Sequence, residues 1–382
     1  MRLVYPLLWS RPAREACRDQ SVNTAAALAR KGVDVTFLMP RRAQDPVVTP
    51  EDLRAYFEVE GNFGVVQRPS RWASGKVVPS TLWLRRAFRD PEVRGADVLY
   101  TRIPNALVLG GGSPVPFAVD HYRPWPDDWP WLRPFIRRTS RRGNCLGFVI
   151  HSHFAAGSYA RCGVPPERLL VAHNGADPER MEPRLTRDEA RERLSLPAGR
   201  PIAAYAGRIN ARKGLDRLLA LAKLRPEVAF LLVGSEREGP IEQAAAAVPN
   251  LTLVPWQEPG RLAPWLYAAD ALLIPPTLAP LQQHRTCVLP IKLFQYLAAG
   301  RPILAPASPD TAELLRDGDN AILVPPDDLA AAAAALDRIL ADRPLAERLS
   351  ATARRDGEAL SWDSRAGKIL SFLSERLEQA RR

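Results

Sequence analysis

Short apolar runs recur along the chain, separated by longer stretches whose apolar residues return at three- and four-residue spacing. That alternation predicts parallel strands joined by helical crossovers. Residues 3–9 form the first run. Residues 10–19 are polar and predict a loop, and 21–31 predict a helix closed by Gly32. A strand at 33–38 completes a strand–helix–strand unit. Further strands are predicted at 97–101, 115–119, 147–151 and 169–172. The turn-rich stretch from His173 to Pro178 interrupts the series, and a charged helix at 186–194 follows it. The alternation resumes with strands at 202–206, 229–233, 251–254, 271–274, 303–305 and 321–324. Helices are predicted between them at 215–224, 291–299 and 329–340, and a last amphipathic helix at 362–377.

The pattern therefore predicts an α/β protein with two Rossmann-like, doubly wound parallel-sheet domains. The chain has 382 residues, too many for one ordinary core. The expected junction lies near residue 178, with domains at 1–178 and 179–361. Two such domains predict a cleft between them, where ligands bind.

Composition narrows the function. Lys and Arg total 53 against 42 Asp and Glu, a net charge of +11. This is either a solvated basic surface or an attraction to anions such as nucleotide phosphates or anionic lipid. No zinc-finger spacing, RNP-like stretch or basic heptad helix points to nucleic acid. Cys17, Cys145, Cys162 and Cys287 form no C-x-x-C pair, which fits a reducing compartment and gives no metal cluster. No run reaches the roughly 18 apolar residues of a membrane span, and the N-terminal run reads as a strand, not a signal peptide. The expected location is the cytoplasm, either free or peripheral at the inner face of the membrane.

Two segments carry chemistry. In Gly207-Arg208-Ile209-Asn210-Ala211-Arg212-Lys213-Gly214, a strand ends on a glycine and a helix follows. Gly207 permits a close turn, and Arg208 and Lys213 then suit a diphosphate at the carboxyl end of the sheet. The competing reading is a solvated basic loop. It is not a Walker loop, because G-x-x-x-x-G-K-[ST] is absent. The second segment runs from Arg285 to Pro302. Pro290 is expected as the first helical residue, with backbone N–H groups around it offered to an anion. Lys292 in the first turn opposes the helix dipole unless an anion sits beside it. The competing reading is a core helix with one surface lysine.

Taken together, G-R-x-x-x-x-K-G and, some 80 residues on, P-x-K-x-F-x-Y-x-A-A-G-R-P resemble the GT-B glycosyltransferases of family 4. His173-Asn174-Gly175-Ala176-Asp177 is similar to that family's H-N-G-V-D. The resemblance implies the GT-B fold, with the last helix, 362–382, crossing back to the first domain. It implies transfer of a sugar from a UDP- or GDP-linked donor to an acceptor, with retention, without a metal or other cofactor. Cell-envelope polysaccharide or glycolipid synthesis is the implied setting. Arg208 and Lys213 would hold the donor diphosphate, joined by the amides near Val288 and Leu289 and by Lys292. His121, which ends a strand in Ala118-Val119-Asp120-His121, would face the donor sugar, with Asp120 orienting its ring; the competing reading is a strand-end histidine satisfied by a neighbouring carbonyl. The family's two acidic positions fall on Cys287 and Gln295, so both carboxylates of its E-x7-E pattern are missing. Gln295 can still hydrogen-bond a ribose as a neutral amide. That departure keeps open a non-catalytic scaffold that binds nucleotide or glycan, and a phosphorylase or epimerase on the same fold.

Other residues are acceptor-side candidates or ambiguous. Arg11, Arg14, Gln20 and Asn23 are polar candidates in the loop 8–23 that the family uses on the acceptor side, with Asp120 a further acceptor-side candidate; the competing reading is that the loop residues are solvated. Trp125, Trp129, Trp131 and Phe135 lie among prolines and arginines. They predict either contact with a lipid surface or lipid-linked acceptor, or a helix packed on the sheet with a basic outer face. Asp317-Gly318-Asp319 is read as turn chemistry and not as a metal site.

Overall fold

Thirteen short strands form two wholly parallel sheets in the computed structural model, which describes residues 1–70, 77–284 and 289–381. The central strands are near-continuous apolar runs because helices cover both faces, as parallel sheets require. The chain packs as two units, Met1–Asn174 with the segment from Trp362 onward, and Gly175–Ser361. The boundary falls inside the His173–Pro178 turn. Ala176 donates its N–H to the Leu360 carbonyl at 2.9 Å and bridges to Ser361, which ties the end of the turn to the second unit.

In the first unit the strands are β1 (Arg2–Pro6), β2 (Asp34–Arg41), β3 (Gly64–Pro69), β4 (Val98–Thr101), β5 (Phe117–His121), β6 (Cys145–Ile150) and β7 (Leu169–Val171). Their order is β3-β2-β1-β4-β5-β6-β7. The direction of winding reverses between β1 and β4, where doubly wound sheets bind ligands beyond the strands' carboxyl ends. Strand β3 has no counterpart in the hydrophobic pattern. It is an edge strand, half-buried until its exposed last residue, so neither a continuous apolar run nor alternation marks it. The first helix, Ala16–Arg30, begins inside the expected loop. Its buried face near the start is polar (Gln20, Ser21, Asn23 and Thr24), which conceals its amphipathic period.

The second unit orders β8 (Ile202–Ala206), β9 (Ala229–Ser235), β10 (Leu251–Pro255), β11 (Ala271–Leu273), β12 (Ile303–Pro306) and β13 (Ile322–Val324) as β10-β9-β8-β11-β12-β13. The helix Lys292–Ala299 packs against a further helix, Arg343–Ala359. Their close approach depends on Gly357, where a Cβ would meet the Ala298 nitrogen at 2.4 Å. The expected proline start of the first of these helices is displaced. Helical hydrogen bonding begins at Lys292, and Pro290 lies in the preceding turn, its carbonyl accepting from Leu293 N.

Candidate functional site

In the second unit the carboxyl end of β8 gathers three cations. The chain leaves Ala206 through Gly207 at φ +140°, a conformation side chains rarely adopt. A Cβ there would lie 2.9 Å from Lys292 Nζ and 3.2 Å from the Tyr205 hydroxyl, so the absent side chain is the space the lysine occupies. The helix Lys292–Ala299 is held to the strand by Tyr296, whose hydroxyl accepts from Ala206 N at 2.7 Å and donates to the Leu273 carbonyl at 3.3 Å. Lys292, one turn earlier on the same face, places its ammonium 3.5 Å from the centre of the Tyr205 ring.

Two of the three cations are electrostatically strained. Burial, and then the charge of Lys213, pushes the Lys292 ammonium well below the ordinary lysine range. Burial, and then Arg208, pushes Lys213 down as well. Among the described residues neither lysine has a carboxylate partner, while Arg208 reaches Glu236 at 3.7 Å, both half-exposed. Two lysines that are both pushed down and have no carboxylate partner among the described residues make a site that an anion would stabilise. The turn between them is fixed by Asn210, whose side chain accepts from Arg212 N at 3.0 Å.

In the first unit a second polar centre lies at the carboxyl ends of β4, β5 and β6. Asp120 is wholly buried and accepts from Tyr100 at 2.8 Å, Arg365 at 2.8 Å and Arg102 at 3.3 Å. Burial would raise its carboxyl, but Arg365 and Arg102 outweigh that and hold it at about 2. His121 lies beside it with Nδ1 3.2 Å from the Tyr159 hydroxyl. Burial, and then Arg102, lowers its imidazole to about 3, so the ring is neutral at any physiological pH. His151 is neutral for the same two reasons and contacts Asn174 at 3.3 Å. Arg365 also donates to the carbonyls of Ala172 and His173, which docks the closing helix, Trp362–Arg381, on this sheet.

Known proteins share this architecture. Residues 186–356 match the model for Glycosyl transferases group 1, and residues 21–180 match that for Glycosyltransferase Family 4. The chain belongs to the group 1, family 4 glycosyltransferases. A D-inositol 3-phosphate glycosyltransferase of Streptomyces bingchenggensis is 29% identical over 237 residues, covering 58% of this chain and 50% of the relative. The chain thus spans about half the length of the curated relatives it matches. A glycosyltransferase from Rickettsia africae superposes with a TM-score of 0.74 at 14% identity, over 99% of this chain and 98% of the other. Anabaena HepE, solved in complex with UDP-glucose, gives 0.69 at 14% identity over 98% and 100%. These likenesses establish the shared GT-B fold.

Within this family member, Gly207, Arg208, Lys213 and Lys292 lie near one another at the carboxyl end of β8. Gln295 is half-buried on the same short helix. The Leu289 side chain belongs to the core of the second unit. Cys287 and Val288 lie outside the described residues. On the first unit Arg11 and Arg14 are exposed in the loop after β1. Asn23 is buried and donates to the carbonyl and carboxylate of Asp19 within its own helix, at 2.8 and 3.1 Å. Asp120 is turned to its two arginines and Tyr100, so the partner at Nδ1 of His121 is Tyr159 and not Asp120. Asp317 accepts from Leu323 N and Asp319 pairs with Arg316 around Gly318, a turn engaged with its own neighbours.

Sequence reasoning passed over Arg102 and Arg365. Arg365 had a legible signal. It shares the apolar stripe of Trp362, Ala366, Ile369 and Leu373, and an arginine on such a stripe requires a buried acid. Arg102 follows a strand end and carries no such mark.

Proposed function

We propose that this family member transfers a hexosyl group from a UDP- or GDP-linked sugar to an acceptor, with retention at the anomeric carbon. The observation that carries the proposal is the convergence of Arg208, Lys213 and Lys292 at the carboxyl end of β8, with no carboxylate beside the two lysines among the described residues. As the sugar–phosphate bond loosens, negative charge grows on the departing diphosphate. Three preorganised cations stabilise that charge more than they stabilise the intact donor. HepE, of the same fold, was solved with UDP-glucose, which supports a nucleotide-sugar as the donor class. Gln295 supplies a neutral amide to the ribose, at a position where the family pattern implies a carboxylate.

His121 contributes as a neutral imidazole. Its depressed basicity makes it a hydrogen-bonding group toward a sugar hydroxyl and a poor proton acceptor at neutral pH. The D-inositol 3-phosphate glycosyltransferases among the relatives support a small phosphorylated polyol as the acceptor class.

The test is a thermal-shift panel of UDP- and GDP-sugars followed by assay of nucleoside diphosphate release with acceptor mixtures. A donor that binds only the folded state raises the melting temperature. The expected result is a shift with one nucleotide series and release of that diphosphate when acceptor is added. A shift without release under any acceptor would favour the non-catalytic scaffold that Gln295 leaves open. No shift with any nucleotide-sugar would overturn both.

A further inference from the structure

The stretch after β5 splits its aromatic residues between two faces. Trp125, Leu132 and Ile136 are buried in the core of the first unit. Trp129, Trp131 and Phe135 are 40%, 64% and 45% exposed, large apolar side chains in contact with water on one short segment. Trp129 stacks on Trp131 with ring centres 6.4 Å apart, and Trp125 backs Trp129 at 4.4 Å. Phe135 follows Trp131 by one helical turn, in the helix Arg133–Ser140. Neither the fold nor the nucleotide-sugar site uses these rings.

Around the rings lies an excess of positive charge. Residues 123–142 contain six arginines and two aspartates. Asp127 is already shared by Arg133 and Arg161, and Asp128 is paired with Arg123. Arg138 and Arg141 are exposed and have no carboxylate partner among the described residues. Exposed tryptophans beside unneutralised arginines match the interface of an anionic bilayer, where indole rings settle at headgroup depth and cations face lipid phosphates. A second copy of the chain is a poor occupant. A two-fold contact through this patch would bring like-charged arginine rims together.

We propose that Trp129, Trp131 and Phe135, with Arg138 and Arg141, form a docking surface for the anionic face of a lipid bilayer. The inference is independent of the transfer reaction, because docking is read without donor or acceptor.

The experiment is flotation of the full chain with vesicles of phosphatidylcholine alone and of phosphatidylcholine with phosphatidylglycerol. Binding is expected to the anionic vesicles, weakening as salt is added. It should fall about fivefold for each arginine lost at 138 and 141, and on the order of tenfold in Trp131→Ser/Phe135→Ser. All these positions are exposed, so both variants should keep the wild-type melting temperature. Flotation with neither vesicle, or binding unchanged in both variants, overturns the proposal. So does a wild-type dimer in sedimentation that Trp131→Ser/Phe135→Ser dissolves, since that would assign the patch to a second copy.

Discussion

The ammonium of Lys292 is held between the Tyr205 ring and the space left open by Gly207, near a second lysine that disfavours its charge. Such an arrangement costs stability in the empty protein and is offset when a diphosphate arrives. Lys213→Ala is therefore expected to lower nucleotide-sugar turnover more than a hundredfold, about 3 kcal/mol of barrier, with a melting temperature no lower than that of the wild type. Equal turnover in variant and wild type would remove Lys213 from the mechanism. Gly207→Ala acts on the same point sterically. Its methyl would press on Lys292 Nζ at 2.9 Å in a strained backbone, so we expect roughly 1–3 kcal/mol of lost stability. Donor should also lose most of its stabilising effect in a thermal-shift titration. The residue types of this cluster were readable in advance because strand–glycine–cation spacing dictates where the side chains emerge. The pairing of His121 with Tyr159 was not, since the partner comes from a helix 38 positions away.

At the level of elements, the closing helix is fastened by one buried charge pair. Arg365 and Asp120 are both fully buried and meet at 2.8 Å. Arg365→Met would leave Asp120 with only the longer Arg102 contact as an ion pair, and a buried carboxylate losing its main partner costs about 3–5 kcal/mol. Chemical unfolding should show that loss, and adding Asp120→Asn should recover most of it. If the double variant is as unstable as the single, the pair is not what holds the helix. The contact between the helices Lys292–Ala299 and Arg343–Ala359 is tested by Gly357→Ala, expected to cost about 1–3 kcal/mol through overpacking. Elements escaped the sequence where their buried faces were polar or shared. The first helix hides its opening turns behind Gln20 and Ser21, and β3 at the sheet edge has no fully buried side chain.

For the molecule as a whole, the buried polar centre sets the response to acid. His121 titrates near 3 when folded and near 6.5 when unfolded. Below pH 6.5 the unfolded chain therefore takes up a proton that the folded chain refuses, and stability falls as pH drops from 6.5 toward 3. By pH 5 this one group accounts for about 2 kcal/mol. Asp120 adds a later loss, between 3.8 and about 2, as its paired carboxylate is finally protonated. Unfolding free energies measured from about pH 8 to 5 should be flat above the ordinary histidine range and decline below it. His121→Gln should decline less. Equal slopes would mean that the imidazole is not buried as described.

Strand and helix periodicity alone specified two parallel α/β sheets and the place where one series stops and the next begins. Local chemistry alone specified that Gly207, Arg208, Lys213 and Lys292 sit at strand and helix ends. Those features depend on neighbours in sequence, and a period or a turn is complete within a few residues. The Arg365–Asp120 pair, the neutral state of two histidines, the tight seat of Gly357 and the exposure of Trp131 were decided only by the tertiary structure. Each depends on which distant side chains remove water from a group or leave it wet, and burial is a property of the packed chain, not of any segment.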